Sequence, residues 1–86
     1  MGIERASRTG APRFELVTRQ GCHLCDEMAA QLEGAGLEFT SLDVDRHPAL
    51  RARFSEVVPV LLRDGKPVAK VRVDAVRLQR LVRRRR

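Results

Sequence analysis

The sequence predicts one α/β domain in the order βαβαββα, with a four-stranded mixed sheet flanked by helices on both faces. Three observations support this fold class. An apolar run at 13–19 ends just before a helical pattern begins at 23. A β-helix-β crossover of this length should form a parallel, right-handed unit with the next strand. The dipeptide Asp64-Gly65 then separates two further runs and predicts the tight turn of an antiparallel hairpin.

The first half of the chain supplies two helices around the second strand. The first helix, 23–34, is predicted from an apolar stripe and two terminal glycines, namely Leu24, Met28, Leu32, Gly34 and Gly36. The second strand, 37–44, is predicted from apolar alternation. A short helix at 47–54 has Pro48 near its start, where a missing N–H costs nothing.

The second half of the chain supplies the hairpin and the last helix. The third strand is predicted at 57–63 and the fourth at 67–73. Asp74 can then cap a helix. Its apolar residues recur at helical spacing: Ala75, Leu78, Leu81 and Val82.

The length and composition indicate one folded domain. Of the 86 residues, 43% are hydrophobic and 33% charged. We expect a loose leader at 1–12, the domain at 13–82 and a basic tail at 83–86. No apolar stretch approaches the roughly 20 residues of a membrane span, and the N-terminus has no signal-peptide pattern. We therefore expect a cytoplasmic protein that does not bind membranes. We also expect a monomer.

The net charge of +6 depends largely on the tail. Removing Arg83-Arg84-Arg85-Arg86 leaves about +2. We interpret the tail as a solvated helix end whose cations suit the C-terminal dipole. Nucleic-acid binding through the tail stays open as an alternative. The sequence does not favour it, because the three aromatic residues all fall in predicted core elements: Phe14, Phe39 and Phe54.

Two cysteines, Cys22 and Cys25, are the only thiols of the chain and lie at the start of the first predicted helix. Unpaired N–H groups and the positive end of the helix dipole favour a thiolate there. Cys22, at the first turn, should be reachable by solvent, whereas Cys25 should be more buried. The pattern therefore predicts that Cys22 attacks a substrate disulfide and that Cys25 resolves the resulting mixed disulfide.

Charged neighbours should modulate this chemistry. Arg19 and His23 favour a thiolate at Cys22, while Asp26 and Glu27 oppose it electrostatically.

A proline at the head of the third predicted strand is the second signal. Val57-Val58-Pro59 places it where a ladder hydrogen bond would be missing. We expect a cis bond beside the active site, with the Val58 backbone offering its N–H and C=O to an extended substrate. The alternative is that Pro59 merely opens an edge strand.

Over about residues 13–82 the chain resembles the glutaredoxin branch of the thioredoxin fold. The resemblance rests on Cys22-His23-Leu24-Cys25, on Val58-Pro59 and on the element order. It implies a thiol-disulfide oxidoreductase with a nucleophilic Cys22, a resolving Cys25, a cis Pro59 and no tightly bound cofactor. Its substrate would be a disulfide-containing protein or a glutathione mixed disulfide, with glutathione or thioredoxin reductase as the reductant.

The sequence departs from that family at two places. His23-Leu24 stands where glutaredoxins usually carry Pro-Tyr. In Val71-Arg72-Val73-Asp74, only Asp74 matches the family's Gly-Gly and acidic glutathione-binding pattern. Arg19 can stand where the family often places a basic residue for the glutathione carboxylate. The predicted substrate-binding residues are therefore Arg19, His23, Leu24, Val58, Pro59 and Asp74.

A zinc site and a redox sensor are two other functions that a pair of cysteines can have. A zinc site would need ligands such as Cys22, His23, Cys25 and His47, but no second CxxC or CxxH pair exists, so we expect no metal. His47 is instead expected at a helix start. A non-catalytic redox sensor or adaptor of the same fold, binding a protein partner, stays open as the main alternative.

Overall fold

A computed structural model describes residues 12–84, and within them one mixed sheet carries helices on both faces. The predicted order βαβαββα is confirmed. The elements are β1 (Phe14–Thr18), α1 (His23–Gly34), β2 (Thr40–Asp43), a 3-10 turn (Val44–Arg46), α2 (Pro48–Phe54), β3 (Val60–Arg63), β4 (Lys66–Lys70) and α3 (Ala75–Arg84).

The four strands are arranged in the order β2-β1-β3-β4. β1 and β2 are parallel, and the other two pairs of neighbours are antiparallel. Val17 lies opposite Val60, so the end of β1 and the beginning of β3 meet at one edge of the sheet. The loop between β1 and α1 therefore starts beside the residues that precede β3.

The core has two layers because successive side chains of a strand point to opposite faces. On one face, Leu16 of β1 and Leu61 of β3 pack against α1 and α3. This layer has the following buried residues: Phe14, Leu16, Met28, Leu32, Leu37, Leu61, Ala69, Val73, Leu78 and Leu81. The opposite layer, beneath α2, has Val17, Val44, Phe54, Val60 and Leu62. Burial on both faces explains why β3, an inner strand, begins with three consecutive apolar residues.

The first helix spans 23–34 as predicted, but β2 begins at Thr40 rather than at residue 37. Leu37 is buried, yet its N–H donates to the Leu32 carbonyl at 3.0 Å. That bond completes the end of α1 and keeps Leu37 out of the ladder with β1. After β2, the chain forms the 3-10 turn before α2 starts at Pro48.

The hairpin strands are shorter than predicted. β3 starts at Val60 rather than at 57, because the preceding residues close α2 and Pro59 has no N–H to donate. β4 ends at Lys70 rather than at 73, since Val71 has a φ of 66° and turns the chain away. The Asp64-Gly65 turn is confirmed, and both residues have the positive φ, 50° and 83°, of a type I′ turn.

The chain ends lie mostly outside the described residues. Of the predicted leader only Pro12 is described, and of the tail only Arg83 and the backbone of Arg84. α3 continues through these two residues. None of the helices described has the length and apolar character that a bilayer crossing requires.

Candidate active site at Cys22 and Cys25

Cys22 is the N-cap of α1. It has an extended backbone (φ −95°, ψ 108°), and its Sγ accepts a hydrogen bond from the Cys25 N–H at 3.1 Å. Gly21, with a φ of 75°, provides the left-handed turn that leads from β1 into the helix. N-cap side chains normally use oxygen to bind these unpaired N–H groups. Here a sulfur does so, at the positive end of the helix dipole.

Cys25 lies one turn further into the helix, where its side chain is 2% exposed. Cys22 is only half-buried. The two are joined by a disulfide with a Cα–Cα distance of 5.2 Å, within the usual range. The predicted difference in burial between the cysteines is confirmed. An attacking group from outside can therefore reach Cys22 more easily than Cys25.

Pro59 lies at the edge of the sheet from which the Cys22 loop leaves. The Val58–Pro59 peptide bond is cis, as predicted. Pro59 is buried, and its carbonyl accepts a hydrogen bond from the Val71 N–H at 2.7 Å. Val58 is half-buried, and within residues 12–84 its backbone N–H and C=O make no hydrogen bond.

Leu24 and Asp74 come together in a cavity of about 240 Å³ between α1 and the segment 71–74. The Gln31 side chain donates to the Val73 carbonyl at 3.3 Å and ties the two walls together. Asp74 also caps α3, as predicted, by accepting a bond from the Arg77 N–H at 2.8 Å. The cavity thus unites two of the predicted substrate-binding residues close to the CxxC turn.

His23 has a different environment. Its side chain is 86% exposed, and its Nε2 lies 2.9 Å from a carboxylate oxygen of Glu27, one helical turn away. The residue is at the solvent-facing surface of α1, next to Cys22 in the chain.

Arg19 is held by contacts within the protein. Its guanidinium donates two bonds to the Asp45 carboxylate, at 2.9 and 3.1 Å, and two to Ser55, at 2.8 Å to the carbonyl and 3.3 Å to the hydroxyl. The hydrogen bond with Asp45 raises the pKa of Arg19 above its usual value and lowers the pKa of Asp45. Arg19 thus fastens the loop before Cys22 to the 3-10 turn and the end of α2.

Sequence reasoning missed Asp45 and Ser55 as partners of Arg19. They lie 26 and 36 residues away in the chain, and the sequence contains no signal that pairs them with it. The prediction from the sequence also missed an open groove of about 590 Å³ beside Cys25. This groove extends to Arg46 and His47. His47 is the residue immediately before α2, as predicted. No group of three potential metal ligands is found within residues 12–84.

A disulfide at a helix start and a buried cis-proline, which follow and precede paired strand ends at the same end of a mixed sheet, define a protein of the thioredoxin-fold class. Solved structures support this assignment. Protein XcR50 from X. campestris superimposes with a TM-score of 0.70 at 32% identity, covering 81% of this chain and 95% of that one. Protein Ne2328 from Nitrosomonas europaea, at 24% identity, shares the fold with a TM-score of 0.68, covering 81% and 89%. A buckwheat glutaredoxin-glutathione complex, at 15% identity, shares it with a TM-score of 0.55, covering 83% and 73%.

Within this class the chain belongs to the family described as "Glutaredoxin-like domain (DUF836)", which matches residues 13–83. It is also 38% identical over 77 residues to "Uncharacterized protein Rv0508" of Mycobacterium tuberculosis, with 79% of each chain covered. The expected glutaredoxin-like, thioredoxin-fold family is confirmed. The CxxC pair is consistent with a role in thiol redox chemistry.

Proposed function

We propose that this protein is a thiol-disulfide oxidoreductase that reduces substrate disulfides with Cys22 and Cys25. The observation that carries the proposal is the half-buried sulfur of Cys22 at the N-cap of α1, in front of a Cys25 that is 2% exposed. In the reduced protein, the same Cys25 N–H and the helix dipole would stabilise a Cys22 thiolate.

The reaction proceeds in two exchanges. The Cys22 thiolate attacks one sulfur of the substrate disulfide, the substrate S–S bond breaks, and one substrate thiolate leaves and takes up a proton. The Cys25 thiol then loses its proton and attacks the Cys22 sulfur. The second substrate thiolate is released and protonated, and the Cys22–Cys25 disulfide forms. Two electrons have passed from the dithiol to the substrate.

The Val58 backbone is the proposed contact for the chain that carries the substrate disulfide. Its N–H and C=O have no partner within residues 12–84, and Val58 directly precedes Pro59 at the edge where the Cys22 loop begins. An extended substrate could pair with these groups as an added strand does. Leu24 and Asp74 would contact the substrate from the neighbouring cavity.

The reductant that restores the dithiol is either glutathione or a protein such as thioredoxin reductase. For glutathione the chain offers the Leu24–Asp74 cavity. Against it, the Arg19 guanidinium already has four hydrogen bonds to Asp45 and Ser55, so binding a glutathione carboxylate would require breaking some of them. The proposal includes a monomer that works in the reducing cytoplasm on protein disulfides or glutathione mixed disulfides.

A turnover assay tests the proposal. Bis(2-hydroxyethyl) disulfide is the substrate, and NADPH consumption is followed with either glutathione and glutathione reductase or thioredoxin reductase as the electron supply. We expect turnover with at least one supply, and no turnover with Cys22→Ser. A disulfide that forms and is reduced stoichiometrically but supports no turnover with either supply would contradict the enzyme and indicate the redox sensor or adaptor.

A further inference from the structure

The net positive charge of the protein is concentrated in the last quarter of the sequence. Residues 66–86 contain nine Lys and Arg but a single acidic residue, Asp74, whereas residues 1–65 contain eight Lys and Arg and ten acidic residues. The excess charge is therefore not confined to the four terminal arginines. It continues along β4 and α3, within the folded domain.

The ion pairs of residues 12–84 leave this basic region unpaired. All of them involve cations that precede residue 66: Arg13, Arg19, His23, Arg46 and Arg51. Lys70, Arg72 and Arg77 are exposed and have no carboxylate partner in this part of the chain. Their charges are thus available to a partner.

Lys70, Arg72 and Arg77 surround one groove of about 350 Å³ on the outer side of β4. Its remaining lining is Pro67, Val68 and Ala69, so no carboxylate lines it. The Arg77 Nε donates to the Val68 carbonyl at 2.6 Å, which fixes this guanidinium against the edge of the sheet. This edge carbonyl is therefore already bound, and the groove presents three cationic side chains to a ligand.

Arg72 connects this groove with the redox site. It lines both the groove and the cavity that contains Leu24 and Asp74. A chain bound across Arg72 would therefore lie in the basic groove on one side and next to the CxxC turn on the other.

We propose that Lys70, Arg72 and Arg77 form a docking groove for an acidic segment of the protein whose disulfide Cys22 attacks. This inference rests on the proposed function and adds the chemical class of the substrate. Carboxylates of the segment complement the three unpaired cations, and attraction at long range raises the rate of encounter. A nucleic acid fits less well, because Phe14 and Phe54 are buried and no aromatic side chain lines the groove for base stacking.

Single-turnover kinetics with matched peptides test the proposal. Three peptides carry one cysteine as a 2-thiopyridyl mixed disulfide, flanked by four Glu, four Gln or four Lys. Pre-reduced protein attacks the peptide sulfur, and 2-thiopyridone is released and detected by absorbance. In about 0.01 M salt we expect the Glu peptide to react roughly tenfold faster than the Gln peptide, and the Lys peptide to be slowest. In 1 M salt, where the Debye length is about 3 Å, the difference should largely disappear.

Lys70→Gln combined with Arg72→Gln should reduce the preference for the Glu peptide to about threefold or less. The preference is the ratio of the variant's own rates with the Glu and Gln peptides, so a change in its basal rate does not affect it. A far-ultraviolet circular dichroism spectrum that matches the wild type shows that the variant is folded. Arg13→Gln combined with Arg53→Gln removes the same charge elsewhere and should keep the full preference.

Equal rates for the Glu and Gln peptides would overturn the docking groove and leave the oxidoreductase intact. No reaction with any peptide would overturn the oxidoreductase and this inference with it. Absence of a peptide preference, together with binding of a 12-nucleotide single strand that the Lys70→Gln, Arg72→Gln variant loses, would instead assign the groove to nucleic acid.

Discussion

At the scale of single residues, one turn of helix gives two identical side chains different environments. Cys22 caps α1 and is half-buried, while Cys25 is 2% exposed. Only the thiolate form of a cysteine attacks a disulfide. The substrate disulfide can also reach only a sulfur that is accessible from outside. This difference in environment supports the proposal that Cys22 makes the attack and that Cys25 resolves the mixed disulfide.

Alkylation of the reduced protein should show this difference. With limiting iodoacetamide at neutral pH, we expect Cys22 to be modified at least about tenfold faster than Cys25, because burial shields Cys25 and N–H groups stabilise the Cys22 thiolate. Peptide mass spectrometry after short reaction times gives both rates. In concentrated urea the two rates should converge, and equal rates in the folded protein would contradict the assigned roles.

At the scale of elements, the β3–β4 hairpin depends on a turn that only glycine fits easily. Gly65 has a φ of 83°, and an added Cβ would meet no atom within 4 Å, so Gly65→Ala introduces backbone strain without a clash. We expect a loss of about 1–2 kcal/mol in the free energy of unfolding. Gly34→Ala in α1 is the matched control, since its Cβ also meets open space without a positive φ. It should stabilise by about 0.5–1 kcal/mol, and urea unfolding measures both.

A loss for Gly34→Ala as large as that for Gly65→Ala would show that the turn conformation is not the cause.

The Arg19–Asp45 pair joins the loop before Cys22 to the 3-10 turn and should make the free energy of unfolding depend on pH. Arg19 lowers the pKa of Asp45 below its ordinary value of 3.8 in the folded protein. The stabilisation from this carboxylate is therefore fully present above that value and is lost as the pH falls through the lower, folded value. Asp45→Asn should be less stable than the wild type at pH 7, and the two should converge in acid.

Urea unfolding at pH 7, 4 and 3 measures this convergence. Glu38→Gln, at an exposed position with no ion pair in the described structure, should follow the wild type at each pH. A difference between Asp45→Asn and the wild type that is the same at all three pH values would contradict the role of the carboxylate charge.

The order of the elements could be predicted from the sequence because it depends on local signals. The apolar stripe of α1, Pro48 and the Asp64-Gly65 turn all act within a few residues. The ends of the strands could not be predicted in this way. For example, β4 ends where Val71 takes a φ of 66° and its N–H donates to the carbonyl of Pro59, a residue of another segment. The difference in burial between Cys22 and Cys25 was predictable for the same local reason, whereas the pairing of Arg19 depends on contacts across the fold.

At the scale of the whole molecule, a chain of 86 residues must bury both faces of one small sheet. Leu16 lies at its centre and is 0% exposed. Leu16→Ala should lower the free energy of unfolding by about 2–5 kcal/mol, a large part of the 5–15 kcal/mol typical of a domain. Val76 on α3 is 63% exposed, so Val76→Ala should change the free energy of unfolding by less than about 0.5 kcal/mol.

Chemical unfolding followed by circular dichroism gives both values. A loss for Leu16→Ala below about 1 kcal/mol would mean that the two-layer core does not carry the stability of the fold.

Charge distribution is also a property of the whole molecule. The sequence predicted a nearly balanced domain with a basic tail, since removal of four arginines leaves about +2. The fold places unpaired cations of β4 and α3 around one groove next to the candidate active site. The net charge alone could not show this arrangement, because the arrangement depends on which cations form ion pairs in the folded protein.

The central claim is that Cys22 starts the exchange and Cys25 ends it, and a trapping experiment tests it most directly. Reduced protein is mixed with a peptide disulfide, and intact masses are recorded over time. We predict an internal disulfide in the wild type, a stable mixed disulfide on Cys22 in Cys25→Ser, and no adduct in Cys22→Ser. A mixed disulfide that accumulates on Cys25 in Cys22→Ser as fast as on Cys22 in Cys25→Ser would contradict the claim.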